Sequence, residues 1–147
     1  MSLSDWVHNG WVTPQPVSDV EIADLLRIAD RDLKDCGVKG VSADWRFNIA
    51  YNAALQASRA ALFGAGFRAS RESHHHRVIQ SLSLTLKLPA NEIKKFDMFR
   101  TKRNFSDYEA VGAVSENDVM EMVRLARTVR ESTGDWLKKN RSGVFPL

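Results

Sequence analysis

The sequence predicts an all-α fold, an antiparallel up-and-down bundle of four to five helices. Two observations carry this. Apolar residues recur at helical spacing in five segments, each opened by a serine or asparagine suited to capping, and no segment alternates with period two over any useful length. The chain has 147 residues, 44% of them hydrophobic and 27% charged, which suits one globular domain with its own core. The expected organisation is an irregular N-terminal arm over 1–17, a single bundle over 18–141 and a tail over 142–147. Trp6 and Trp11 in the arm are expected to tuck onto the bundle.

Ser18 opens the first bundle helix, with Glu21 completing a capping box, and Ile22, Leu25, Leu26, Ala29 and Leu33 form its apolar stripe. Gly37 ends it. Ser42 caps a second helix in which Ala50, Ala53, Ala54, Ala57, Ala60 and Ala61 give a slim surface, suited to a central position with neighbours on several sides. Gly64 and Gly66 stop it. Ser73 is expected to cap a third helix over 74–87, with Val78, Leu82 and Leu86 inward. Asn91 is expected to cap a fourth over 92–108, with Ile93, Phe96 and Phe99 inward. Ser115 and Asp118 resemble a capping box for a fifth, which runs to about Asn140 with Gly134 as a weak point and Lys138 and Lys139 suited to its C-terminus.

Charge narrows the ligand. Residues 1–35 hold seven acids against Arg27, Arg31 and Lys34, a balance of −4, so the rest of the +3 chain carries +7. A basic body suits an anionic ligand such as RNA or a nucleotide, and excess charge of this size is also common on solvated surfaces. Cys36 is the only cysteine, which leaves no disulfide framework or zinc cluster and fits a reducing cytoplasm. The first residues lack the pattern of a secretory signal, no apolar stretch is long enough to span a membrane, and no cofactor is expected.

Two polar groupings could do chemistry. In KRNFSDYE, residues 102–109, helical spacing sets Arg103 against Asp107 and Asn104 against Tyr108, with Arg100 one heptad before Asp107. These groups, with Lys102, could hold a phosphate, or Arg103 and Asp107 could form a plain surface ion pair. His74, His75 and His76 are consecutive, so on a helix they point about 100° apart and cannot share one metal ion. No metal site is expected. One of them could still be a base or a phosphate contact, or all three could be solvated. There is no Gly-rich phosphate loop, nucleophile elbow or HExxH motif.

The order of features then resembles the HEPN superfamily (higher eukaryotes and prokaryotes nucleotide-binding domain). The residues that carry the resemblance are the long helix AYNAALQASRAALFGAG, Gly66 with an aromatic at the turn, a histidine opening the next helix, and the ending RTKRNFSDY. It covers about residues 18–138. The resemblance implies a homodimer in which two copies of the arginine motif face one cleft. It also implies a toxin–antitoxin or defence role with a nucleotidyltransferase antitoxin as partner, and metal-independent RNA cleavage as one activity. The family signature, an arginine and a polar residue followed by a histidine, falls on Arg103, Asn104 and Tyr108. Tyr108 in the histidine position is a departure, since a phenol with a pKa of about 10 is a poor base at neutral pH. The expectation is therefore a nucleotide-, RNA- or partner-binding module, with a ribonuclease using Arg103, Tyr108 and one of His74–His76 as the alternative.

Overall fold

The computed structural model describes residues 1–71, 74–108 and 113–147, with the backbone alone over 104–108. In chain order the elements are α1 (Leu3–His8), β1 (Val12–Pro14), α2 (Asp19–Asp35), α3 (Ala43–Gly64), β2 (Phe67–Ala69), α4 (His74–Thr85), α5 (Ala90–Tyr108) and α6 (Glu116–Asn140), then a 3₁₀ turn at Ser142–Val144. The fold is an all-α bundle.

Helix α3 is its axis, and the reason is composition. Ala50, Ala53, Ala54, Ala57, Ala60 and Ala61 are all buried, so backbones can approach α3 from several directions. Helices α2 and α6 pack on it and touch each other; α4 and α5 do likewise. The helices approach closely at Gly64, where a Cβ would lie 2.6 Å from Leu137 Cδ2 and 2.9 Å from Trp136 Cζ3, so glycine suits the α3–α6 contact there. Edge-on aromatic pairs fasten α3 to α5: Phe47 to Phe99 at 5.3 Å and Tyr51 to Phe96 at 5.8 Å between centroids.

The helix starts follow the capping chemistry with two differences. Ser115 and Asp118 form a complete capping box. Ser18 accepts from the Glu21 N–H at 3.1 Å, whereas the Glu21 carboxylate accepts from Arg68 Nη2 at 2.8 Å, so its charge is drawn to β2. Asn91 is not a cap: α5 already begins at Ala90, where the carbonyl of Pro89 accepts the Glu92 and Ile93 N–H groups. Ser73, expected to cap α4, lies outside the described residues. Helix α4 ends at Thr85, earlier than its apolar pattern predicts, because Lys87 takes a positive φ of 57° that turns the chain. Gly134 does not break α6.

The arm is not irregular. Ser2 and Asp5 make a capping box that starts α1, and β1 pairs antiparallel with β2, Val12 opposite Ala69. Three-residue strands are too short to give a period-two signal. The expected burial of the tryptophans does hold: Trp6 is 5% exposed, and Trp11 meets it edge-on at 5.5 Å.

Candidate functional site

The site is built where the arm, α3, α4 and α5 meet. The β1–β2 ladder fixes the chain just before α4, and Ser70 adds to it: its N–H donates to the Trp11 carbonyl and its hydroxyl to the Gly10 carbonyl at 2.6 Å. The Arg77 guanidinium lies 3.8 Å from the Trp11 ring centroid. Helix α4 therefore enters the bundle at a fixed angle, and its first turn presents the three histidines in three directions.

Each histidine meets a different partner. His75 Nδ1 is 3.3 Å from the Tyr51 hydroxyl on α3. His76 Nδ1 is 3.1 Å from Asp97 Oδ1 on α5. His74 hydrogen-bonds the backbone of Ala69 on β2 and feels the charge of Arg59 on α3. The three rings are half-buried rather than solvated.

Helix α5 contributes one stripe, Asp97, Arg100 and Arg103, spaced three apart. Arg100 Nε donates to Asp97 Oδ1 at 2.8 Å, so this oxygen serves both Arg100 and His76. The Arg103 guanidinium carbon sits 5.1 Å from the centroid of the Tyr51 ring. Tyr51, 1% exposed, is thus the hub, with Phe96 below, His75 at its hydroxyl and Arg103 on its ring.

The charged groups around Tyr51 shift one another's titration. Burial pushes the Tyr51 phenol well above its ordinary range, against the opposing pull of Arg103 and Arg100. It therefore keeps its proton at any physiological pH. His75 is held below the usual imidazole value by burial first, then by His74, Arg103, Arg100 and Arg59. His74 is lowered likewise by burial and Arg59. Burial alone would raise the Asp97 carboxyl, but hydrogen bonds from Arg100 and His76 outweigh it and hold the group below its ordinary value.

This arrangement gives His75 two neutral forms with different uses. If Tyr51 donates to Nδ1, the outer Nε2 carries the proton and donates to an anion. If Nδ1–H donates to the Tyr51 oxygen, Nε2 is bare and can take a proton. The first form can donate a hydrogen bond from Nε2; the second can accept a proton there.

The structure brings together Arg100, Arg103 and His74–His76, which are far apart in sequence. It separates Lys102 from them: Lys102 points across to α6, where its Nζ meets Asp118 Oδ2 at 2.8 Å, and so it is a structural tie rather than a member of the cleft. The side chains of Asn104, Asp107 and Tyr108 lie outside the described residues, and with them the expected Arg103–Asp107 and Asn104–Tyr108 pairs. Sequence reasoning missed Tyr51 and Asp97 as site residues. Tyr51 left a faint signal as an aromatic hydroxyl at the head of an alanine stripe, and Asp97 as a carboxylate one turn before Arg100.

A cavity of about 1440 Å³ lies elsewhere on α5, lined among others by Leu88, Ile93, Met98, Phe99 and Lys102. It meets the cleft at Asp97, which lines both. Its exposed lining is mostly apolar by area, and two of the lysines that line it are matched, Lys95 by Glu121 and Lys102 by Asp118. Among the described helices none is long and apolar enough to cross a membrane. The chain matches no family model and no curated protein.

Proposed function

We propose that the cleft between α3, α4 and α5 binds the phosphate of a nucleotide or RNA. The observation that carries this reading is the convergence of Arg103, Arg100 and His75 on the buried Tyr51. Arg103 supplies the charge, His75 Nε2–H a directed donor, and the Asp97–Arg100 pair holds the second guanidinium at the rim. An anion entering there would meet several basic groups held close together.

In this reading the chain is a HEPN-like module of a toxin–antitoxin or defence system, working in the cytoplasm. It acts as a homodimer whose two Arg103 motifs face one cleft, with a nucleotidyltransferase antitoxin as partner. Titration with a labelled oligoribonucleotide and with ATP tests it. Removing Arg103 deletes a charge-assisted hydrogen bond worth about 1.5–3 kcal/mol, so Arg103→Ala should weaken binding by roughly 10- to 100-fold. Equal affinity of the wild type and Arg103→Ala for both probes would overturn the reading.

His75 also favours a second reading, metal-independent RNA cleavage. Its bare-Nε2 tautomer offers the base that Tyr108 does not, and Arg103 stands beside it to stabilise charge on a pentavalent phosphorane. RNA incubated in EDTA should be cut by the wild type and spared by His75→Ala and Arg103→Ala. Tyr108→His, which restores the family spacing, should raise the rate near pH 6.5. An inert Tyr108→His variant that still binds RNA leaves binding as the function.

A further inference from the structure

Away from Tyr51, the other end of α3 carries a second cationic centre that the cleft does not use. Arg59 and Arg68 both lie against the Phe63 ring, with guanidinium carbons 5.3 and 4.5 Å from its centroid. The two charges are therefore less than about 10 Å apart. Arg68 pairs with the half-exposed Glu21. Arg59 has no carboxylate partner among the described residues; it interacts electrostatically with Arg68, His74 and His75, all of them basic residues.

Arg59 is nevertheless held in place. Its Nη1 donates to Gln56 Oε1 at 2.7 Å, Gln56 Nε2 to Asn52 Oδ1 at 2.9 Å, and Asn52 Nδ2 to Asp32 Oδ2 at 2.7 Å. Asp32 is 5% exposed and is itself pinned by two hydrogen bonds from Arg31. This relay runs down one stripe of α3, residues 52, 56 and 59, and ends on a guanidinium whose Nε is shielded from solvent without a hydrogen-bond partner. A surface arginine kept only for solubility needs no such support. An oriented guanidinium beside a second one is what phosphate recognition requires.

We infer that Arg59, Arg68 and His74 form a second phosphate site, which takes another phosphate of the same strand whose first phosphate sits at Arg103. The assignment rests on the phosphate-binding reading of the Tyr51 cleft. The two sites are joined by the histidines: the His74 and His75 rings are 5.7 Å apart, and His75 is 6.1 Å from the Tyr51 ring. Tyr51 and Arg59 are eight residues apart on α3, roughly 12 Å along its axis. The linked phosphates of one nucleotide do not cover that distance; successive nucleotides of a single strand do. The fold thus selects an oligonucleotide over a mononucleotide.

The test compares a labelled oligouridylate with uridine triphosphate, over a range of salt, for the wild type, Arg59→Gln with Arg68→Gln, and Arg103→Ala. The double variant should lose at least about tenfold in oligouridylate affinity and keep its affinity for uridine triphosphate. Its salt dependence should be shallower by about 0.7 in log–log slope for each arginine removed. Gln56→Ala, which leaves both charges and loosens Arg59, should give a smaller loss for the oligomer and none for the triphosphate. Thermal melting checks that each variant is folded, and Arg68→Gln alone, at a half-exposed position, serves if the double variant is not.

Unchanged oligouridylate affinity and slope in a folded double variant overturns the second site. So does a wild type that binds both probes equally. Loss of oligomer binding in the double variant but not in Arg103→Ala would keep the second site and remove the Tyr51 reading. A wild type that binds neither probe removes both.

Discussion

The two sides of α5 treat charge in opposite ways. Towards α6 the basic groups have acidic partners: Lys102 with Asp118, Lys95 with Glu121 and Arg124 with Glu92. The pattern continues around α6, with Arg46 on Glu116 and Arg130 bidentate on Asp30. Towards α4, one oxygen of Asp97 serves both Arg100 and His76, while Arg103, His75, His74 and Arg59 crowd together. The matched side holds helices in register. The side towards α4 gathers basic groups round Tyr51, and it is there that the proposed ligand would be met. A basic residue thus says little about function until its partners are known.

The largest effect that would break this contrast is charge reversal in the cleft. Arg103→Glu places a carboxylate at Tyr51 and should reduce oligonucleotide binding by more than about 100-fold, read by fluorescence anisotropy. The melting temperature should change little, since the new carboxylate faces Arg100 and His75 while Asp97 opposes it. A large drop in melting temperature would mean that Arg103 is structural, like its counterparts on α6.

Next in size is the packing that holds the two sides apart. Gly64→Val drives a branched side chain into Leu137 and Trp136, and should cost about 1–3 kcal/mol in denaturant unfolding. A neutral result would show that α6 is free to shift, and that the matched pairs along it are not fixed.

On the matched side, Arg130→Ala should cost about 1 kcal/mol, since the pair with Asp30 is bidentate but half-exposed, and should leave binding unchanged. Weakened binding would show that the two sides are coupled.

The pH response separates them further. The folded pKa of His75 lies below that of the unfolded chain, so on acidification through about 6.5 the unfolded state takes the proton first and stability falls until the folded value is passed. Binding should change the other way. A phosphate favours protonated His75, so affinity should rise as pH falls through the same window. His75→Gln should flatten both trends. Asp97 acts in a lower range: its depressed pKa contributes stability above the ordinary value of 3.8, lost as pH falls through the folded value.

Smallest is Gly134→Ala. Alanine gains up to about 1 kcal/mol of helix propensity, but its Cβ would lie 2.7 Å from Arg130 Nη1 and displaces the guanidinium from Asp30. The two effects should nearly cancel, whereas in an Arg130→Ala background the same change should stabilise.

The sequence by itself determined the helices and their inward faces. Capping serines at 18, 42 and 115, the alanine stripe of α3 and the apolar spacing of Ile93, Phe96 and Phe99 are local signals, and local backbone and burial preferences settle them. It also singled out Arg103 and the histidines as polar groups worth following, from residue type alone.

Only the tertiary structure decided which of those groups meet. Lys102 and Arg103 are neighbours in sequence, yet one turns to Asp118 on α6 and the other to Tyr51 on α3, because adjacent helical residues face about 100° apart. Tyr51, Asp97 and the Arg59–Arg68 pair gain their roles from contacts between elements up to 52 positions apart in sequence, as with Arg103 over Tyr51. Strands β1 and β2, which aim the histidines, are short enough that pairing across 57 residues, Val12 to Ala69, and not their composition makes them strands. Helix formation is governed by neighbours along the chain and is legible there. A site is governed by neighbours in space, and the packing of α3, α4 and α5 had to be known before this candidate could be seen.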